Sequence, residues 1–459
     1  MEQLNFLQGL DKLGALPSVE VRFFINKNIS NSSSSIKRLL CLGVFLLFLF
    51  SAYSQNEWKP QTHLTGYVNT VAEYTDLNNG FEPKKPIGIG LSQAAFLASY
   101  KPLEKLEIKG TFVYNHNIRD IQSLLVEAYG QYTFNDAFKV GAGKYLTPLS
   151  PVNQYFYAPI NPSATLPMMV SHHIMFPQSI SGFQLSGELG TTMKAGYNVT
   201  YGNYSDLSHP EQGIIGLEGR EDIASYIWTE TLSANKPWVF LGGTGRIFAN
   251  YDDKINFGLN YFDGRKSHYV YQELDLTTGQ ALTNFIPATR NAFGVDLELK
   301  ISNLRINAEY WSGNIKTTEL NNETKTRTLT NKITTDYSAY YAEAIYEKGI
   351  FTPYVRYDYV NEMFGSLFIP TAPTPPATGI GLYKLLDALF PTSAYTAGIG
   401  IRPVYEILLK LEYKYIDAKI KYNNLNIPAP LQTALPPSNP LRIQENKYNY
   451  FCASLVYSF

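Results

Sequence analysis

The nearest thing in this chain to a metal-binding or general-base pair is His172 and His173, adjacent in sequence. Neighbouring side chains on an extended segment point in opposite directions, so a single ion cannot readily take both, and a structural or hydrogen-bonding role is expected. The two cysteines, Cys41 and Cys452, cannot build a thiolate metal site or a disulfide scaffold. No G-x-S-x-G, Walker loop or H-E-x-x-H occurs. A lipid hydrolase is the enzyme reading to weigh. It would need a serine within reach of a histidine, and no histidine stands beside a recognisable nucleophile motif. The chain is therefore not expected to be an enzyme, and no cofactor or metal is expected.

The chemistry that does recur is charge at every second position. In Leu304 to Tyr310, leucine, isoleucine, alanine and tyrosine share one parity while Arg305, Asn307 and Glu309 take the other. Phe351 to Val360 sets Arg356 and Asp358 against Val355, Tyr357 and Tyr359, and Ile407 to Tyr415 sets Lys410, Glu412 and Lys414 against leucines and tyrosines. Period-two alternation makes a strand with one apolar and one polar face. Carried around a ring, it assigns Lys109, Glu127, Lys194, Arg246, Asp296, Arg305, Glu309, Arg356, Asp358, Arg402, Lys410 and Lys414 to the lining of a channel. A charge facing lipid costs about 2–4 kcal/mol at the bilayer midplane, so so many inward charges imply a wet interior.

The elements that must position these residues are strands of about ten residues, and about 16 of them can be counted, starting near residues 63, 91, 106, 124, 138, 178, 191, 239, 254, 291, 304, 336, 350, 393, 406 and 447. Short turns at Asn135-Asp136, Gly190-Thr191, Asp252-Asp253, Ser302-Asn303, Lys348-Gly349 and Pro403-Val404 alternate with long loops. The last strand, Phe451 to Phe459, ends in an aromatic residue with Phe451, Ala453, Leu455 and Tyr457 on its parity, and Cys452 opposite as a small filler. Composition agrees: 17% charged, 14% aromatic, with 35 Tyr and 26 Phe. No apolar run after residue 50 is long enough for a spanning helix. With 38 basic against 39 acidic residues there is no surplus positive charge for a nucleic acid. The expected fold is an all-β transmembrane antiparallel barrel. Rings of about 16 to 18 strands leave an aqueous channel.

Leu39 to Phe50, flanked by Lys37 and Arg38 and by a small-x-small exit, reads as a secretory signal with cleavage after Ser54, and residues 1–35 before it read as an extended n-region or a mis-assigned initiation site. The mature barrel is then 55–459. The third long loop, Thr147 to Pro177, holds six of the prolines, three of the methionines and no charge. It is expected to fold inward as a neutral, partly apolar constriction through Tyr155, Phe156, Tyr157, His172 and His173, with a lid over the mouth, or packing against a neighbouring subunit, as the alternative. The loop from Tyr204 to Trp238 has six acidic and two basic residues, and Leu382 to Phe390 has the spacing of a short amphipathic helix.

The stretch Val140 to Leu149, with Gly143-Lys144 followed by Pro148 before an uncharged loop, resembles the corresponding strand of Gram-negative porins, in particular the phosphate-selective porin O/P group and its relatives. The resemblance implies a 16-stranded, trimeric passive channel in the bacterial outer membrane, surrounded by outer-membrane lipid and lipopolysaccharide and delivered to the barrel-assembly machinery by its C-terminal strand. It places Lys144 near the pore rim. In the phosphate-selective members arginines and constriction lysines hold the anion; this loop has neither, and the wall charges balance. The expected function is diffusion of small hydrophilic solutes with weak ion selectivity, with a substrate-specific uptake channel as the alternative.

Overall fold

In the computed structural model the described residues are 58–76, 87–115, 124–154, 156–171, 175–205, 241–274, 281–320, 327–370, 383–419, 421–422 and 445–459. The export segment, the acidic loop 206–240, and Tyr155, His172 and His173 lie outside them.

Seventeen strands form one sheet: β1 Gln61–Thr75, β2 Ile87–Leu103, β3 Leu106–Asn115, β4 Leu125–Asn135, β5 Phe138–Leu146, β6 Ser179–Leu189, β7 Met193–Ser205, β8 Leu241–Tyr251, β9 Ile255–Leu274, β10 Ala281–Ile301, β11 Leu304–Leu320, β12 Arg327–Tyr346, β13 Phe351–Pro370, β14 Tyr383–Val404, β15 Ile407–Lys419, β16 Lys421–Tyr422 and β17 Glu445–Ser458. The two-residue β16 pairs with β14 just beyond β15 and continues the same stave, so the ring has sixteen. Each stave pairs antiparallel with its neighbours in sequence, and β17 closes on β1 from Tyr67↔Ser458 to Thr75↔Tyr450. Gly66 and Phe459 exchange backbone hydrogen bonds of 3.0 Å at that seam. Among the described residues every stave is hydrogen-bonded to a neighbour on each side, the condition for strands to cross lipid.

The alternation predicted from sequence is the alternation observed. One parity exposes Phe183, Ile247, Phe293, Tyr310, Val355, Leu411, Phe451, Leu455 and Tyr457; the other buries Arg246, Asp296, Glu309, Arg356, Asp358, Lys410 and Lys414. A belt of exposed hydrocarbon and aromatic rings is stable against lipid and unstable against water. Several aromatic rings of the buried parity lie over glycines of an adjacent strand: Trp311 over Gly294, Tyr337 over Gly313, Tyr354 over Gly398, Phe248 over Gly196. A side chain at any of these glycines would occupy the ring's place.

Turns fall at or within two residues of the expected positions. Asp252 and Asp253 both have positive φ, 53° and 52°, as a tight hairpin reversal with right-handed twist requires. The last short turn is Tyr405–Glu406 rather than Pro403-Val404, because Val404 still pairs with Ile407. The strands β9 to β14 are 17 to 22 residues long, well beyond the 9–11 that span a bilayer. Their extensions carry little alternation, which is why the starts expected near 291, 336 and 393 are observed at 281, 327 and 383. Residues 383–390, expected as a helix, are strand: Leu386 pairs with Leu367 and Leu385 with Phe368 on β13. Ladder pairing overrides a local spacing that also suits a helix.

Candidate functional site

The uncharged segment between β5 and β6 makes its polar contacts with the charged parity of the wall. Its two ends are tied together: Thr147 N–H donates to Gln178 O at 2.8 Å, Thr147 Oγ1 to Pro177 O at 2.6 Å, and Asn153 Nδ2 to Thr147 O at 2.8 Å. Pro151 opens a one-turn helix, α1 Pro151–Gln154, at a position where the missing N–H is no loss. A second short helix, α2, covers Met168–Ser171. Between them Asn161 Oδ1 accepts from Ser163 N and Oγ, at 3.1 and 2.7 Å, which turns the chain locally.

A buried stretch without charged side chains still carries backbone groups that need partners. Here the wall supplies them. Glu412 accepts from Ala164 N at 3.1 Å, Thr165 N at 3.2 Å, Thr165 Oγ1, and Tyr354 Oη at 2.6 Å. Arg356 donates to Thr165 O at 3.0 Å and Leu166 O at 3.2 Å, and pairs with Asp358 at 2.8 Å and Glu343 at 3.5 Å. Asp358 accepts from Met168 N at 3.1 Å, Lys410 donates to Ser163 O at 2.9 Å, and Arg402 donates to Pro159 O. Anionic side chains meet N–H groups, cationic ones meet carbonyls. Charge-assisted bonds of this kind are the stronger class.

Three further contacts lie on other strands. Arg246 and Asp296 form a bidentate pair, 2.8 Å on each arm, joined by Asn260 at 2.7 Å, and Arg246 also reaches Leu149 O at 3.4 Å. Beside them Glu309 accepts from Ser150 Oγ at 2.8 Å, Tyr341 Oη at 2.9 Å and Trp311 Nε1 at 3.3 Å. On β4, Glu127 takes Tyr157 Oη at 3.2 Å, Thr111 Oγ1 at 3.1 Å and Lys109 Nζ at 2.9 Å. Burial, then the negative charge of Glu127, pushes the Tyr157 phenol above its ordinary pKa. Apolar packing completes the contact. Leu149, Phe156, Met168, Met169, Val170, Met175 and Phe176 are buried, with Phe176 4.6 Å from the Trp311 ring and Tyr157 edge-on to Tyr67 at 6.5 Å.

The expected wall positions divide into two groups. Glu127, Arg246, Asp296, Glu309, Arg356, Asp358, Lys410 and Lys414 are buried, whereas Lys109, Lys194, Arg305 and Arg402 are partly exposed toward the short turns. There Lys194 faces Glu188 at 3.6 Å and Arg305 faces Glu347 at 3.5 Å. Of the first group, Glu127, Arg246, Glu309, Arg356, Asp358 and Lys410 each bond to the segment. Lys144 also falls differently: it pairs in register with Ala128 and Ser181, whose parity is that of exposed Phe138 and Phe183, opposite to buried Tyr145. Of the expected constriction residues, Phe156 and Tyr157 are buried in this contact; Tyr155, His172 and His173 lie outside the described residues. Among the described residues no cluster of histidine, cysteine and carboxylate side chains is suited to a metal.

Reading the sequence missed Glu73, Ser150, Thr165 and Tyr354. Glu73 lies on the buried parity of β1 with Asn69 and Val71 and accepts from Tyr450 Oη at 2.7 Å; alternation alone would have found it. The other three are ordinary by type and matter only through partners far along the chain.

No protein-family model matches the chain, and no curated protein matches it. Among solved structures, outer-membrane-expressed OmpT of Vibrio cholerae aligns with a TM-score of 0.50 at 12% identity, covering 88% of this chain and 99% of that one. The chain shares that fold. The in-vitro folded trimer form of the same protein aligns at 0.48 and 12%, covering 88% and 100%, and the complex of Salmonella typhi OmpF with daunomycin at 0.45 and 12%, covering 87% and 97%.

Proposed function

We propose that this protein is a channel of the bacterial outer membrane, exported by its N-terminal segment and assembled as a homotrimer, that passes small hydrophilic solutes with weak ion selectivity. The single observation that carries the reading is a closed sixteen-stave ring with hydrocarbon on one parity and charge on the other. A ring of that size is too wide for wall side chains alone to fill. The segment 147–177 narrows it, held on one side by β13 and β15 and on the other by β4, β8 and β11. Weak selectivity follows from pairing: the wall charges are balanced by each other and by backbone dipoles of the segment, which leaves little net field for a permeating ion. A phosphate filter is not part of the proposal, since neither arginine nor lysine occurs in the segment and Lys144 takes the outward parity.

A substrate-specific uptake channel is the second reading. The observation that favours it is the number of strands the segment reaches, which leaves a smaller opening than a loop lying along one wall. Current steps in a planar bilayer, with reversal potentials in asymmetric potassium chloride, test both. Steps with a reversal potential near zero are expected. Their absence, or a strong preference for phosphate, would overturn the first reading, and solute-dependent block at low concentration would move it to the second.

A further inference from the structure

The outward side of the closing seam carries a recess of about 530 Å³ that reaches across β14, β15, β17, β1 and β2. Tyr413 on β15 and Tyr74 on β1 are the cross-strand partners of Phe451 on β17, and the three exposed rings stand in one row at centroid spacings of 4.9 and 6.1 Å. Two residues nearer the short turns the row becomes small: Ala453 is the partner of Ala72 on one side and of Leu411 on the other. Ala397 beside Tyr413 and Ile87 beside Tyr74 bound the recess at its two ends. Alanines beneath a row of rings make a notch. Left empty, a notch forfeits dispersion contacts, and hydrocarbon fills it without asking for hydrogen bonds. Its volume is that of a pocket for one small ligand or chain.

Polar groups stand on the long-loop side of the rings. Tyr413 Oη donates to Asn449 Oδ1 at 2.7 Å, and Asn449 Nδ2 donates to Asp76 Oδ2 at 2.7 Å. The Asp76 carboxylate is exposed, and each of its oxygens retains a further acceptor site. Lys447, also exposed, lies two residues beyond Asn449 on the same parity, about 7 Å along the strand. It faces Asp417 on β15 without closing an ion pair. Two carboxylates and one ammonium repel a purely anionic head and match one that carries both a phosphate and an ammonium group. We propose that the seam holds one bilayer lipid per protomer, with an acyl chain in the notch and a head of that mixed charge between Lys447 and Asp76. A second copy of the chain would rest on the protruding rings, whereas a single acyl chain lies beneath them. This inference rests on the outer-membrane location in the channel reading and not on conduction.

The test is lipid retained per protomer, weighed by mass spectrometry after the protein is released into mild detergent from nanodiscs of equal parts phosphatidylethanolamine and phosphatidylglycerol. Wild type should keep one phosphatidylethanolamine, at least tenfold in preference to phosphatidylglycerol. Ala72→Leu/Ala453→Leu, which fills the notch with side chain, should keep neither lipid. Asp76→Asn/Lys447→Gln, altered only at exposed positions, should lose the tenfold preference and decides alone if the notch variant fails to assemble. No lipid on wild type, equal retention of the two lipids by wild type, or retention unchanged in the variants overturns the site. Loss of the oligomer in Ala72→Leu/Ala453→Leu with lipid unchanged gives the notch to a second copy and overturns it as well. Lipid retained as expected by a protein that passes no current keeps the site and sinks the channel; current without retained lipid does the reverse.

Discussion

Glu412→Ala should loosen the segment between β5 and β6, and the structure sets the scale. Glu412 holds three donors of that segment, the N–H groups of Ala164 and Thr165 and the Thr165 hydroxyl, plus the Tyr354 hydroxyl. A hydrogen bond to a charged group contributes about 1.5–3 kcal/mol. In a wet lumen the released donors regain water, so about 1 kcal/mol net for each of the three is the better figure, about 3 kcal/mol together. That changes the ratio of held to released segment by roughly two powers of ten. Arg356 and Lys410 keep their carbonyl contacts, so the segment should fluctuate rather than leave. The expected single-channel record is a larger mean current with added noise, graded from wild type through Glu412→Gln to Glu412→Ala. A second readout is thiol labelling of Ala164→Cys in a Cys452→Ala background, which should be slow with Glu412 present and up to about a hundred times faster without it. Unchanged current, noise and labelling rate would show that the carboxylate does not hold the segment.

Other expectations follow from the same contacts. Asp296→Asn leaves the Arg246 guanidinium buried with only neutral acceptors and should cost about 3–5 kcal/mol in urea unfolding from micelles; a loss below about 1 kcal/mol would mean that water already reaches the pair. Gly294→Ala puts a methyl where the Trp311 ring lies and should cost about 1–3 kcal/mol while altering tryptophan fluorescence. In Gly66→Val the added carbons meet the Phe459 ring and Ala95 O, at 2.6 and 2.7 Å from the new Cβ, so the seam should close poorly and the yield of heat-modifiable barrel on gels should fall. The raised pKa of Tyr157 means that the folded state keeps a proton that the unfolded state releases above about pH 10. Stability should therefore be intact below that pH and fall above it, and Tyr157→Phe should flatten the alkaline slope.

How far the sequence could be read depended on whether the relevant contrast was local. Leu304 to Tyr310 declared its faces because lipid and a polar interior select opposite residue types at successive positions, and sixteen such segments amount to a barrel. Residues 383–390 misled because leucines at 382, 385, 386 and 389 also suit a helical face, and only the partner strand decides. Lys144 misled because the inward positions beside it are Gly143 and Tyr145, so polarity does not mark the inward parity at that point of β5. The uncharged segment 147–177 announced that it would be buried, yet its partners could not be read. Thr165 and Glu412 are 247 residues apart, and nothing near either names the other.

These contacts also indicate which part of the wall remains for a solute. On β13 the polar parity is buried from Tyr354 to Val360, and on β15 from Leu408 to Ala418. On β7 and β8 the positions nearest the short turns, Lys194, Asn198, Phe248 and Asn250, keep partial exposure. The most highly charged sector is therefore the one least open to water, with its charges committed to the segment's backbone. The partly exposed sector presents amides, the Phe248 ring beneath the Arg246 guanidinium, and matched ion pairs. On the channel reading, counting wall charges therefore overstates the field that a permeating ion would meet.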